Sequence, residues 1–217
     1  MKIKGAIFDM DGTLLDSMKY WDSVGIDFLN RLGIDFDDAN ENYVLKVGIL
    51  GFTEYCNKKY GLNKTYKEVS KAMHDIIAER YNTVVELKPG AREMLERFKQ
   101  NGVKMCIATA TEQKEAIGVL TRLGIIDYFS EVLTTTIVGA DKNSPLIYEV
   151  ALEHLGTKKD ETYVFEDALY AIKTAKKHNF KVVGIEDNYA ALPANEIEPL
   201  CDYFLYTKDN YNTYFFE

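Results

Sequence analysis

Two aspartates that stand two residues apart, Asp9 and Asp11, are the first residues in the chain whose types and spacing suggest chemistry. They end the mostly apolar segment that begins at Lys4, and carboxylates in such a place can act as nucleophiles or as acid–base groups. A calcium loop of the EF-hand type that starts at Asp9 requires glycine and glutamate at its sixth and twelfth positions. The sequence has Leu14 and Tyr20 there, which excludes that loop and leaves a plain acidic turn as the alternative.

Four further polar residues follow apolar segments in a similar way: Thr109, Lys142, Glu166 and Asp167. Each has an ordinary structural interpretation, because a threonine at a strand end is usually structural and a single lysine is usually solvated. One of the two acids could also cap the next helix. Together, however, they offer a hydroxyl that could hold a phosphoryl oxygen, a positive charge and a second pair of carboxylates.

Short apolar segments that alternate with helical periods indicate a parallel sheet with right-handed crossovers. Residues 16–83 show helical patterns only, including a capping box formed by Thr65 and Glu68. The prediction is an α/β fold: a Rossmann-like parallel sheet core of residues 1–15 and 84–217, with an inserted all-helical cap domain of residues 16–83. The predicted strands are Lys4–Phe8, Val103–Ala108, Glu131–Thr134, Thr162–Phe165, Lys181–Ile185 and, more weakly, Tyr203–Leu205.

Ligands of an open parallel sheet bind beyond the carboxyl ends of its strands. The two aspartates and the four later polar residues all follow predicted strands, so we expect them to meet at one edge of the sheet. A helix is predicted from Ser144 as its cap and Pro145 as its first residue.

The segment Phe8–Ser17, with the sequence FDMDGTLLDS, resembles the first signature of the haloacid dehalogenase superfamily. Thr109 resembles the second signature, Lys142 the third and Phe165-Glu166-Asp167 the fourth, in the family's order and across essentially the whole chain. Residues 87–90 and 182–184 are similar to the subfamily with a helical cap between its first two strands. That subfamily includes phosphoglycolate phosphatases and β-phosphoglucomutases.

The resemblance implies a nucleophile, a general acid/base and a magnesium site at the predicted edge. Up to four carboxylates would then surround a phosphate dianion, and unit charges ~4 Å apart repel by about 4 kcal/mol at an effective dielectric constant near 20. Mg²⁺ suits this set, because it prefers carboxylates, waters and phosphate oxygens. The implied catalytic residues are Asp9 as nucleophile, Asp11 as acid/base, Thr109 and Lys142; the implied metal residues are Asp9, Asp11, Glu166 and Asp167.

Two segments depart from the family pattern. After the two acids the family commonly has serine, two variable residues and glycine, whereas this chain has Ala168 and Ala171. After the lysine it commonly has Pro-x-Pro-Asp, and this chain has Asn143-Ser144-Pro145-Leu146. The first change removes a hydroxyl near the metal and the second an acid near the lysine, but no primary catalytic group is lost.

The expected function is a Mg²⁺-dependent phosphatase that hydrolyses a small phosphorylated metabolite through an aspartyl phosphate, with the cap closing over the site and choosing the substrate. A sugar-phosphate mutase like β-phosphoglucomutase and a catalytically silent relative remain as alternatives. Mutases of this group have a histidine in the first cap helix and an arginine farther into the cap. The chain has Trp21 at the first position and no arginine from Val44 to Lys59. Dehalogenases lack the second aspartate, and a two-component receiver carries its acceptor after the third strand, so both fit poorly.

Bulk properties limit the partners and the compartment. A net charge of −8 argues against a nucleic-acid binder, and no apolar stretch reaches the ~18 residues that span a bilayer. Three unpatterned cysteines without a signal peptide indicate reduced thiols and a cytoplasmic protein. No obligate protein partner is evident, and no role is expected for the histidines. The candidates for lining the substrate entrance are Lys19, Trp21, Lys46 and Phe52.

Overall fold

The structure, a computed structural model, describes residues 3–35 and 43–207. Among these residues, six strands form one parallel sheet in the order β3-β2-β1-β4-β5-β6. Nearly every strand residue is buried, as expected for a parallel sheet covered by helices on both faces. The predicted α/β fold class is therefore confirmed. The strands are β1 (Gly5–Phe8), β2 (Lys104–Thr109), β3 (Val132–Thr134), β4 (Thr162–Glu166), β5 (Lys181–Ile185) and β6 (Tyr203–Leu205).

The strand order places β1 and β4 side by side at the centre of the sheet. From β1 the chain builds outward through β2 and β3, and it then crosses over to build β4, β5 and β6 on the other side. The change of direction between β1 and β4 is the switch point at which such sheets bind ligands. The Asp9 N–H donates to the Phe165 carbonyl at 2.9 Å, which brings the ends of these two strands together.

The sheet-containing unit also carries the helices that connect its strands. An apolar face of the helix Leu146–Leu155, α7, packs in the core with residues of β1, β2, β4 and β5. This helix begins at Leu146 rather than at Pro145, which takes the capping position, and the Ser144 hydroxyl accepts the Leu146 N–H at 3.3 Å. The start predicted from Ser144 is therefore one residue early. The helices are α4 (Ala91–Gln100), α5 (Gln113–Arg122), α6 (Thr135–Val138), α7 (Leu146–Leu155), α8 (Leu169–Lys177) and α9 (Ala194–Ile197), after α1 (Met18–Arg31), α2 (Tyr43–Tyr60) and α3 (Tyr66–Thr83).

The chain leaves the sheet-containing unit after Asp16 and returns to it at Glu86, and Ser17–Val85 forms a second compact unit. The described residues of this unit form α1, α2 and α3 and contain no strand. The predicted capping box begins α3: the Thr65 hydroxyl accepts the Glu68 N–H at 3.3 Å, and the Glu68 carboxylate accepts the Thr65 N–H at 2.8 Å. Gly48 interrupts α2 with a positive φ of 69°.

Two of the four residues expected to line an entrance have their contacts inside the helical unit. Phe52 is 1% exposed and packs edge-on against Phe28 with ring centroids 6.2 Å apart, so it is a core residue. The Trp21 indole N–H donates to the Tyr81 hydroxyl at 3.3 Å. Lys46 is exposed and Lys19 is half-buried. Within residues 3–35 and 43–207, no helix combines the length and apolarity that crossing a membrane requires.

Candidate active site

The loop after β1 presents Asp9 and then turns sharply at Gly12, whose φ is 79°. Amide groups of Leu14 and Leu15 donate to the Met10 carbonyl at 3.0 and 2.9 Å, which closes this turn. The tight turn also directs the Thr13 hydroxyl to Asp167, where it donates to Oδ1 at 3.0 Å. The first loop is thus tied to the residue that follows β4.

Lys142 is the buried cation of the site, with 3% of its surface exposed. Its Nζ donates to Asp9 Oδ1 and, at 2.6 Å, to Glu166 Oε1. The chain reaches this position from β3 through the short α6 and a turn at Asp141, whose carboxylate accepts the Asn143 N–H at 2.9 Å. One ammonium therefore lies between two carboxylates that come from neighbouring strands.

Glu166 is fully buried and has four hydrogen-bond donors. Lys142 Nζ and the Tyr148 hydroxyl, the latter at 3.3 Å, donate to Oε1, while the N–H groups of Asp167 and Ala168 donate to Oε2 at 3.1 Å each. A carboxylate offers about four acceptor positions, so a metal ion held by Glu166 would take the place of one of these donors. The backbone of Ala168 thus supports Glu166 without the hydroxyl that the family commonly has at this position.

Three of the four predicted metal residues lie together. Carboxylate oxygens of Asp9, Glu166 and Asp167, all buried, lie within 4.8 Å of one another. A donor set of carboxylate oxygens suits a hard divalent cation such as Mg²⁺. Asp11 lies outside this trio, and its Oδ2 accepts the Thr111 hydroxyl at 2.7 Å.

Thr109 and Thr111 together form the threonine pair that follows β2. Thr109 is 1% exposed, and its hydroxyl accepts the Thr111 N–H at 3.1 Å. The bond shapes this loop so that the Thr111 hydroxyl meets Asp11. Thr111 was not among the predicted site residues, although its position two residues after Thr109 in the same loop was an available signal.

Burial and mutual repulsion shift the ionisation of this site. Burial is the main factor that raises the pKa of Asp9 to about 6, against the opposing effect of Lys142. Burial, followed by the charges of Asp9 and Glu166, raises the pKa of Asp167 well above its usual range. Burial alone would lower the pKa of Lys142, but Asp9 and Glu166 raise it well above its usual range, so Lys142 stays protonated. One protonated lysine therefore does not neutralise the negative charge of these acids, which is the condition expected of a site that binds a divalent cation.

Comparisons with known proteins agree with this arrangement. The model of the haloacid dehalogenase-like hydrolase family matches residues 6–185. A phosphorylated carbohydrates phosphatase from Thermotoga maritima is 26% identical over 190 residues, covering 88% of this chain and 86% of the relative. A glyceraldehyde 3-phosphate phosphatase from Pyrococcus furiosus is 27% identical over 216 residues, covering 94% and 89%.

A solved structure shows the same fold. The crystal structure of a Thermotoga maritima protein with the provisional name β-phosphoglucomutase superposes with a TM-score of 0.82 and 23% identity, covering 97% of both chains. The predictions of the superfamily and of an enzyme of the hydrolase class are confirmed. With a family match over residues 6–185, this chain belongs to the haloacid dehalogenase-like hydrolases.

Proposed function

We propose that the protein is a Mg²⁺-dependent phosphatase that hydrolyses a small phosphorylated metabolite through an aspartyl phosphate on Asp9. The observation that carries the proposal is the contact of Asp9 with Lys142 inside a buried group of carboxylates. A structural ion pair does not need a second and a third acid around it, whereas a phosphoryl-transfer site needs a nucleophile, a cation and metal ligands together.

In the first half of the reaction, an Asp9 carboxylate oxygen attacks phosphorus and the bond from phosphorus to the ester oxygen breaks. Asp11, as the carboxylic acid, gives its proton to the departing oxygen and so releases an alcohol. The Thr111 hydroxyl holds Asp11 Oδ2 at 2.7 Å and thereby fixes the direction of its carboxyl group. Asp9 then carries the phosphoryl group as an acyl phosphate.

In the second half, water attacks phosphorus and gives a proton to the Asp11 carboxylate. The bond between phosphorus and the Asp9 oxygen breaks, so Asp9 is regenerated and inorganic phosphate leaves. Lys142 remains protonated and offsets negative charge on the phosphoryl group throughout. Thr109 is buried at the end of β2, and its proposed role is to place a hydroxyl beside the phosphoryl group.

Asp9, Glu166 and Asp167 are the residues that would hold the metal, with Asp11 as the further metal residue that the resemblance implies. Bound there, Mg²⁺ supplies positive charge that stabilises the transferring phosphoryl group. Glu166 has a second role. Tyr148 and the N–H groups of Asp167 and Ala168 fix its carboxylate, which accepts the Lys142 ammonium and so orients it between the strand ends.

The names of the relatives support a phosphorylated carbohydrate as substrate. We assign the choice among such substrates to the helical unit, Ser17–Val85, and the reaction to the sheet-containing unit. A cytoplasmic location and independence from an obligate protein partner complete the proposal.

A sugar-phosphate mutase is the second candidate, favoured by the likeness in fold to the solved Thermotoga maritima structure with the provisional name β-phosphoglucomutase. A mutase must protect its aspartyl phosphate from water until a sugar phosphate rebinds. The Trp21 indole N–H only donates and is already bonded to Tyr81, so it cannot relay a proton. No arginine occurs from Val44 to Lys59 to grip a distal phosphate with a bidentate fork. Water is therefore expected to complete the reaction.

One experiment separates these functions. The protein is incubated with Mg²⁺ and a panel of phosphorylated sugars and sugar alcohols, and with β-glucose 1-phosphate plus a trace of the 1,6-bisphosphate, and products are followed by phosphorus NMR. Release of inorganic phosphate from at least one ester supports the phosphatase. Faster formation of glucose 6-phosphate than of free phosphate contradicts it in favour of the mutase. Failure to turn over any ester indicates a silent relative.

A further inference from the structure

A second buried ion pair, which the proposed reaction does not use, joins Lys88 and Asp187. Lys88 Nζ lies 2.7 Å from Asp187 Oδ2, and each side chain is 4% exposed. The same Nζ donates to the Glu186 carbonyl at 2.7 Å. Burying two charges is costly unless their geometry and their remaining hydrogen bonds are good, so such a pair is weak evidence for stability alone.

The pair spans β4, which carries Glu166 and leads directly to Asp167. The Lys88 N–H donates to the Leu14 carbonyl at 2.8 Å, in the turn that follows β1. The Lys88 side chain, by contrast, reaches the residues that follow β5. Because β4 lies between β1 and β5 in the sheet, Lys88 bridges the loops on either side of the strand that ends beside Asp167.

Contacts and strand register place this pair near Asp167. The Lys88 N–H bonds Leu14, which follows Thr13, and the Thr13 hydroxyl donates to Asp167. On the other side, the pairing of β4 with β5 aligns Glu166 with Gly184, three residues before Asp187.

Burial and the charges of Asp9 and Glu166 make the largest contributions to the raised pKa of Asp167, and Asp187 adds to them while Lys88 opposes them. A lysine ammonium is a compact charge on a flexible stem with three donors. If Lys88 lost its own carboxylate, Asp167 would be the obvious buried replacement.

We propose that Asp187 is a positioning residue that holds the Lys88 ammonium away from Asp167 and so leaves Asp167 available to the metal. Asp167 Oδ1 already accepts the Thr13 hydroxyl, so a lysine on its other oxygen would compete directly with a cation. This inference rests on the proposed function, because it takes Asp167 to be a metal ligand.

The test measures metal binding directly, on the full chain freed of metal. Free Mn²⁺ is followed by electron paramagnetic resonance, and Mg²⁺ affinity is obtained by competition. Asp187→Asn should weaken binding by about 10- to 100-fold, the range typical of residues that orient metal ligands. The turn should survive this change, because asparagine keeps an oxygen that can accept the Tyr189 N–H, now 2.8 Å from Asp187 Oδ1.

The double variant Lys88→Met with Asp187→Asn distinguishes this role from a purely structural one. The double variant also lacks the ammonium that would compete for Asp167, so it should recover most of the metal affinity lost in Asp187→Asn. Lys88→Met alone should bind metal no more weakly than wild type. Asp202→Asn is the matched control, because Asp202 pairs with Lys176 at 2.7 Å elsewhere in the same unit, and it should leave binding unchanged.

If the wild-type protein binds metal normally, any one of three results would overturn the inference. They are Asp187→Asn binding like wild type, Asp202→Asn losing as much affinity, and the double variant losing tenfold or more. The double variant has no unpaired buried charge at this place, so its metal affinity can be compared with that of wild type even if Asp187→Asn does not fold. A wild-type protein that binds no divalent cation contradicts the proposed function and the inference together.

Discussion

Replacing Lys142 by methionine tests the electrostatics of the candidate site most severely. Methionine keeps an unbranched side chain of similar length but removes the ammonium that contacts two buried carboxylates, Asp9 and Glu166. Removing one partner of a buried ion pair typically costs about 3–5 kcal/mol. We expect a loss of that size in the free energy of unfolding at about pH 7.5 without metal.

The loss should depend on pH, because Asp9 can escape its unfavourable charge by taking up a proton. In the native protein its pKa is about 6, and without Lys142, which lowers it, the folded pKa rises further. A carboxyl with a raised folded pKa is stabilising at low pH and loses that contribution as the pH rises through the folded value. From about pH 6 to about pH 7.5 the folded variant thus binds up to about one proton more than the native protein, so its deficit grows by up to about 2 kcal/mol.

Urea unfolding followed by circular dichroism, in EDTA at both pH values, measures this deficit. Lys176→Met is the control, because its pair with Asp202 is partly exposed and should contribute at most about 1 kcal/mol. If Lys142→Met stays within about 1 kcal/mol of the native protein at both pH values, the buried carboxylates do not carry the charges assigned to them.

The remaining predictions concern metal and catalysis. Turnover should require Mg²⁺ and stop in excess EDTA, and undiminished activity there would refute the metal assignment. Metal affinity should fall by at least about tenfold from about pH 7 to about pH 5, because protonated Asp9, with a pKa of about 6, cannot bind a cation; a competition titration at each pH measures this. Thr111→Val should lower kcat by about 10- to 100-fold through misplaced Asp11, with the fold checked by circular dichroism and Thr121→Val as control. Asp11→Asn should lower turnover by ~10²-fold or more, and near-native rates would exclude it as the proton carrier.

Most of the fold could be predicted because its signals are local. The buried strands of a parallel sheet appear in the sequence as short apolar runs, and polar residues at their carboxyl ends point to one edge. The capping box of Thr65 and Glu68 also lies within four residues of sequence, and the structure has it. By contrast, α7 begins at Leu146, one residue later than predicted, with Pro145 rather than Ser144 at the capping position.

The contacts that were not predicted join residues far apart in sequence. Lys88 and Asp187 each look like solvated surface residues until the fold buries both side chains, with Lys88 bonded to the turn that follows β1 and Asp187 in the loop that follows β5. Tyr148, on α7, carried no sign of its hydrogen bond to Glu166. Phe52 was expected at an entrance, yet it packs inside the helical unit, because the sequence shows that a residue is aromatic but not which way its helix faces.

The central claim is that Asp9 carries the phosphoryl group during turnover. The protein is mixed with Mg²⁺ and its best ester substrate, quenched within one turnover and treated with borohydride, which reduces an acyl phosphate to an alcohol. Peptide mass spectrometry then locates the reduced residue. The account predicts reduction at Asp9 in the complete mixture, and none without substrate or in Asp9→Asn. Phosphate release at the native rate with Asp9 unreduced at every quench time would contradict it.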